Sequence, residues 1–216
     1  MVEGLVKDTA KKRYASVHEQ VLASQEIVRH MNDLVNALLN VSRVETGRIA
    51  VHTEMTNMAL LAKNAITEVS HSAKAKKQKI TVSADEGLVK ISVDPLLITE
   101  VLKNLLTNAI KYTPKGGEIS IRVSKSGSDI LTRVADNGYG IPKHEQKRVF
   151  HKFYRGTNIV SLEPDGNGLG LYLVKRIVDI SGGKIWFDST EGQGTTFSFT
   201  LPISGSAPRR GEKSLA

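Results

Sequence analysis

The residues able to do chemistry come in one order along the chain: two asparagines, a carboxylate before paired glycines, a glycine run opening a helix, and a final glycine turn. Residues 100–113 read Glu-Val-Leu-Lys-Asn-Leu-Leu-Thr-Asn-Ala-Ile-Lys-Tyr-Thr. Glu100, Asn104, Asn108 and Lys111 recur there at helical spacing and share one face. Carboxamides offer an oxygen to a hard cation and N–H groups to phosphate oxygens, and the lysine adds a mobile positive charge. An ordinary exposed polar face has the same spacing. Asp136-Asn137-Gly138-Tyr139-Gly140-Ile141 sets a carboxylate, able to accept from the exocyclic amine of adenine, beside glycines that let a flat ring approach the backbone. The same residues also make a common turn. Gly166, Gly168 and Gly170 lead into a helix, where free N–H groups and the helix dipole favour an anion. Their spacing excludes the dinucleotide fingerprint and the Walker loop. Gly192-Gln193-Gly194-Thr195 reads as a tight turn, with a plain hairpin as the equal alternative. As an ordered set these pieces suit a nucleoside triphosphate and its magnesium ion.

Val149-Phe150-His151-Lys152-Phe153-Tyr154-Arg155 precedes a loop of small and polar residues, 156–167. Two aromatics anchoring such a loop would make a lid over phosphates, with Lys152 and Arg155 reaching their oxygens. Packing of both phenylalanines in the core is the alternative.

These residues need positioning elements. The first fifty residues read as one long helix, with Val17, Ile27, Met31, Leu34, Leu38 and Val41 on a heptad seam that calls for a partner helix. Gly47 stops it. An extended piece, 49–52, precedes a helix over about 57–77. Strands follow at 79–84 and 89–93, and Pro95 opens the asparagine helix. Strands at 118–123 and 129–135 flank Ser126-Gly127-Ser128. A short helix over 142–150, the loop, a helix over 168–180 and strands 184–188 and 195–201 complete the order. Helices with mainly antiparallel strands predict an α+β, two-layer α/β sandwich. The expected divisions are 1–50 for the long helix, 51–203 for the sandwich and 204–216 for a disordered tail.

The chain has 216 residues, 40% of them hydrophobic and 24% charged, with no cysteine. Disulfides and thiolate metal sites are therefore excluded, and a reducing compartment fits. No apolar run approaches the roughly 20 residues needed to span a bilayer, so a cytoplasmic location is expected for this stretch, with an anchor possible in a longer parent. The net charge is +8, but the basic runs at Lys74–Lys79 and Arg209-Arg210 carry no nucleic-acid motif. They read as a solvated helix end and a tail, and no nucleic-acid partner is expected.

The ordered motifs resemble the ATP-binding catalytic domain of bacterial sensor histidine kinases, the gyrase/Hsp90/histidine-kinase/MutL type with the Bergerat fold. Asn104 and Asn108 through Thr113 match the N box, Asp136-x-Gly138-x-Gly140 the G1 box, Phe150–Phe153 the F box, Gly166-x-Gly168-x-Gly170 the G2 box, and Gly192-x-Gly194-Thr195 the last. The resemblance covers about residues 50–202. It implies Glu100 and Asn104 as catalytic residues and Asn104 and Asn108 as magnesium ligands. It further implies an ATP site drawn from Lys111, Tyr112, Asp136, Gly138, Gly140, Ile141, Lys152, Arg155, Gly166, Gly168, Leu169, Gly170, Leu171 and Thr195. ATP and Mg²⁺ are the expected ligands, a response-regulator receiver domain the expected partner.

The first helix, from Arg29 through Glu45, is similar to the second helix of that family's dimerisation and phosphoacceptor hairpin, implying a homodimer. The H box, His-Glu-Leu-Arg-Thr-Pro, is not in this sequence. His18-Glu19 lacks the following Leu-Arg-Thr-Pro, His30 precedes Met31-Asn32, and both read as surface histidines; no phosphoacceptor is assigned. The resemblance thus implies a protein-histidine kinase domain whose acceptor lies elsewhere. The alternative is a non-catalytic, ATP-binding, dimerising module, and an ATPase of the chaperone or topoisomerase kind stands third.

Overall fold

Two of the helices start where a side chain caps their first turn. A computed structural model describes the backbone of residues 2–157 and 166–208; side chains are described from Val17 onward, except 18, 19, 23, 26, 29, 30 and 33. The side chains of His18 and His30, the loop centre 158–165 and the tail 209–216 therefore lie outside the described residues. Helix α1 runs Val2–Glu45. Gly47 ends it at φ 68°, and Arg48 N–H donates back to Arg43 O at 2.9 Å, the six-to-one bond of a Schellman stop.

The chain divides into two compact units, Met1–Leu39 and Asn40–Ala216. In the first, Val17, Ile27, Met31 and Leu38 of the expected seam are 42–62% exposed, so these seam positions stand open among the described residues. The second unit begins earlier than residue 51, because the last turn of the helix already belongs to it. Val41 and Val44, then Ile49, Ala50 and Val51, are all buried.

Asn57 caps helix α2, Met58–Ala75, by accepting from Leu60 N–H. Asp94 caps helix α3, Pro95–Tyr112, with one oxygen taking Leu96 and Leu97 N–H and the other taking His52 N–H at 2.7 Å. One carboxylate thus starts the asparagine helix and ties down the chain entering the unit. Leu97, Ile98, Val101, Leu102, Leu105, Leu106, Ala109 and Ile110 fill the buried face of α3. That stripe leaves the Glu100–Asn104–Asn108–Lys111 face for other use.

Two strands, β1 (Glu54–Thr56) and β3 (Ile91–Val93), form a small antiparallel sheet. The sequence reading had no strand at 54–56, which three residues cannot announce by alternation. The main sheet has the order β2-β4-β5-β7-β6, comprising Lys79–Ala84, Glu118–Ser126, Asp129–Asp136, Gly194–Pro202 and Lys184–Thr190 respectively. Only β2 and β4 are parallel; the other pairs are antiparallel. Ile119, Ile121, Val123, Ile130, Val134, Phe197, Phe199 and Leu201 face one way and are buried in one core with α2, α3 and helix α4, Gly170–Ile180. The expected two-layer sandwich is the observed one.

The expected helix over 142–150 is mostly turns around a single 3₁₀ turn, Gln146–Arg148. Phe150 is drawn onto Phe187 and Phe197, at 5.7 and 6.3 Å between centroids, and so short a segment has little helical stability of its own. Ser206, within the expected tail, is held to the rest of the unit. Ser206 N–H donates to Ser92 O at 2.7 Å and its hydroxyl to Ser181 O at 2.8 Å.

Candidate nucleotide site

Asn104 sits on the face of α3 that the core leaves free, and its amide is oriented by its own helix. Nδ2 donates to Glu100 O at 3.0 Å and to the Glu100 carboxylate at 2.7 Å. Oδ1 is thereby turned toward the start of α4: a Cβ placed on Gly170 would fall 2.6 Å from it. One turn along, Asn108 is half-buried and its carboxamide bonds to no described residue; Lys111, also half-buried, follows on the same face. Glu100 therefore acts on Asn104, fixing which carboxamide atom faces Gly170.

The N-terminus of α4 has no side-chain cap. Leu173 N–H makes the first internal bond, to Leu169 O at 2.9 Å, so the N–H groups of Gly170, Leu171 and Tyr172 precede the hydrogen-bonded ladder. Anions favour such a place. Asn167 folds the glycine run into it by accepting from Leu169 N–H at 3.0 Å. Leu169, an expected site residue, is 1% exposed as a whole, so in this arrangement it supports the turn rather than presenting a surface to a ligand. Leu171 packs partly against the core.

Near the C-terminal end of α3, Asp136 closes β5. Its Oδ1 accepts from Gly138 N–H at 2.9 Å and from Thr195 N–H at 3.3 Å, while no described donor reaches Oδ2. Burial pushes its carboxyl up to about 6, against the pull of those two bonds. A cleft carboxylate with one oxygen committed and the other open fits an amino-substituted ring. Gly138 is required beside it, since a Cβ there would lie 2.2 Å from Tyr112 O. Tyr139 N–H donates to that same carbonyl at 3.0 Å, so the end of the asparagine helix and the first glycine loop are joined.

The last glycine turn folds against this loop. Gly192 N–H donates to Tyr139 O at 2.8 Å, and Gly140 and Gly194 leave room for Thr190 and Asp136 carbonyls respectively. The sequence reading missed the residue that fastens them. The Ser189 hydroxyl accepts from Ile141 N–H at 2.8 Å and lies 2.9 Å from both Gly194 O and Thr195 Oγ1. Gln146 adds two bonds, from Nε2 to Ile141 O and Ser189 O, both 3.0 Å. A serine in an alternating strand carries no local signal of such a role.

Around the loop, the two phenylalanines part company. Phe150 packs in the core as an anchor, but Phe153 is 61% exposed, at φ 59°, so the expectation of two aromatic anchors is corrected to one. Arg155 lies over Gly166, whose added Cβ would be 3.1 Å from Nε. Lys152 is already engaged. Its ammonium pairs with Glu45 and lies 5.2 Å from the Tyr172 ring centre, and Tyr172 OH donates to the same carboxylate. Those two bonds lower the Glu45 carboxyl, and the Glu45 bond raises the Lys152 ammonium. At the loop's near end the Glu145 carboxylate, 5% exposed, accepts from Thr157 N–H and its hydroxyl.

Among known proteins, residues 93–205 match the family described as histidine kinase-, DNA gyrase B-, and HSP90-like ATPase. The adaptive-response sensory kinase SasA of Rippkaea orientalis is 31% identical over 91% of this chain and 50% of its own length. The sensor histidine kinase WalK of Bacillus subtilis is 34% identical over 84% of this chain and 30% of its own. The chain thus spans half or less of these relatives. Among solved structures, full-length ShkA in complex with AMPPNP superposes with a TM-score of 0.73 at 26% identity, covering 84% of this chain and 37% of that one. The catalytic domain of the histidine kinase ThkA gives 0.61 at 26%, covering 70% and 95%.

Proposed function

Since the chain belongs to the histidine kinase-, DNA gyrase B-, and HSP90-like ATPase family, we propose that it is the ATP-binding kinase domain of a two-component sensor. In this reading it binds Mg²⁺-ATP and passes the γ-phosphoryl to a histidine supplied by another segment or chain. The observation that carries the reading is Asp136, half-buried at the end of β5 with Oδ1 committed and Oδ2 open. Adenine's exocyclic amine would meet Oδ2, with Ile141, Tyr112 and the glycine backbone around the ring. The triphosphate would run toward Asn104, Asn108, Lys111 and the open N-terminus of α4. Arg155, over Gly166, is placed to meet phosphate oxygens, as Lys152 would be once released from Glu45.

The donor set fits a magnesium ion. Asn104 Oδ1 faces a space that the missing side chain of Gly170 keeps clear, and no cluster of three or more acidic or histidine ligands occurs among the described residues. This ion keeps several waters and takes few protein oxygens beside substrate phosphates, so a carboxamide oxygen can serve as its protein ligand. Bound there, it would neutralise charge on the transferring phosphoryl group. Glu100 would keep the amide oxygen pointed at it.

A homodimer through the exposed seam of α1, a receiver domain as phosphate acceptor downstream, and an intracellular site of action complete the proposal. No described helix is long and apolar enough to cross a membrane. The test incubates the chain with γ-labelled ATP and a separate hairpin carrying a His-Glu-Leu-Arg-Thr-Pro helix. Label on the hairpin is the expected result. ATP binding without label would reduce the protein to a nucleotide-binding module, and no ATP binding would refute the proposal altogether.

A further inference from the structure

The turn after α2 reads in sequence as a lysine-rich, solvated helix end, yet two of its side chains reach back into the site's foundation. Lys76 Nζ donates to Ile110 O at 3.1 Å and to Lys111 O at 2.8 Å. Gln78 Nε2 donates to Ile110 O at 3.0 Å and Thr113 O at 2.7 Å. With Tyr139 N–H on Tyr112 O, every carbonyl from residue 110 to 113 has a donor. Those carbonyls form the negative end of α3, and Lys76 puts a cation on it. The turn is held in return, with Gly116 N–H donating to Lys76 O at 2.9 Å and Lys79 N–H to Gly117 O at 3.0 Å. Gln78 is itself buried.

The consequence runs by short steps to Asp136. The Tyr112 carbonyl carries Tyr139 N–H, and the Gly138 backbone packs directly on that carbonyl. Gly138 N–H holds Asp136 Oδ1 at 2.9 Å. A helix end that frayed or tilted would therefore shift the carboxylate's open oxygen. We propose that Lys76 and Gln78 are positioning residues for nucleobase specificity: without touching the nucleotide, they fix the helix end on which the adenine-reading loop rests.

This inference rests on Asp136 reading adenine, so the test separates the two. ATP, inosine triphosphate (an oxo group in place of the exocyclic amine) and tripolyphosphate are titrated calorimetrically against the whole chain. The wild type should prefer ATP over inosine triphosphate. In Lys76→Met that preference should shrink by about fivefold, the worth of one ordinary hydrogen bond, while tripolyphosphate binding stays the same. Lys76→Arg should restore the preference, and Lys74→Met, on the exposed side of the same turn, should leave it intact. If Lys76→Met fails to fold, Lys76→Gln, which retains a donor, should show an intermediate preference. An unchanged ratio in either variant, or equal weakening of all three ligands, overturns the inference while leaving the adenine reading in place. A wild type without preference for ATP sinks the adenine reading and this inference together.

Discussion

Replacing Asp136 by asparagine should make the protein more stable and nearly blind to ATP. The carboxyl is pushed from 3.8 to about 6 by burial, even though two backbone N–H groups favour its charged form. At about 1.4 kcal/mol per pKa unit, holding that charge in the cleft at neutral pH costs roughly 3 kcal/mol. The raised value means that Asp136 contributes most favourably to folding below about pH 4, and that this contribution disappears as pH rises through about 6. Asparagine keeps an oxygen for Gly138 and Thr195 N–H without the charge. In a domain of this size the variant should melt roughly 6–12 °C higher at pH 8, with the difference vanishing near pH 4. Its new amide would set donor against donor at the adenine amine, so ATP affinity should fall by about a hundredfold or more. Wild-type affinity should itself fall below pH 6, opposite in sign to the stability trend. Thermal melts from pH 4 to 8 and calorimetric titration with ATP at pH 7.5 check both halves. An Asp136→Asn protein that melts at or below the wild type at pH 8, or that binds ATP within a few-fold of it, would refute the reasoning.

Glu100→Ala removes the acceptor that orients Asn104, and the Mg²⁺-dependent part of ATP affinity should drop about ten- to hundredfold, read as binding with and without chelator. Gly138→Ala drives a methyl into the Tyr112 carbonyl and should lower stability by about 1–3 kcal/mol or more in urea unfolding. Ser189→Ala leaves Ile141 N–H without its acceptor, at about 1–3 kcal/mol, and the Ile141 amide should exchange with solvent faster than its neighbours. Glu45→Gln should weaken the hold on Lys152, and the ATP affinity should then rise and become steeper in salt.

The parts legible in the sequence were those with a local rhythm. The stripe of α3 carries its polar face and core face in a single run of residues, so Asn104 and Asn108 could be placed before any fold was known. Glycines beside Asp136 and before α4 were legible because close approach leaves no other residue type. What stayed hidden depends on contacts between distant segments. Ser189 meets Ile141 across 48 positions, and Lys76 meets Lys111 across 35; neither has a periodicity to betray it. The exposure of Phe153 and the pairing of Lys152 stayed hidden for a related reason. The core had room for one aromatic of the pair, and an acidic residue more than a hundred positions earlier claims the lysine. The three-residue strand β1 is too short to alternate visibly.

The pairing of β5 with β7 sets Asp136 opposite Thr195, and that register has a temporal meaning. The wall proposed to read the base is assembled from segments almost sixty positions apart, a separation typical of contacts that form slowly. During synthesis the first glycine loop emerges well before the strand that completes it, so nucleotide can engage only the finished sheet. A ligand restricted in this way acts as a thermodynamic ratchet on maturation: at a hundredfold excess over its dissociation constant it adds about 2.7 kcal/mol to the folded state. Metabolic energy supply and the lifetime of the folded domain would then be tied together through one strand pairing.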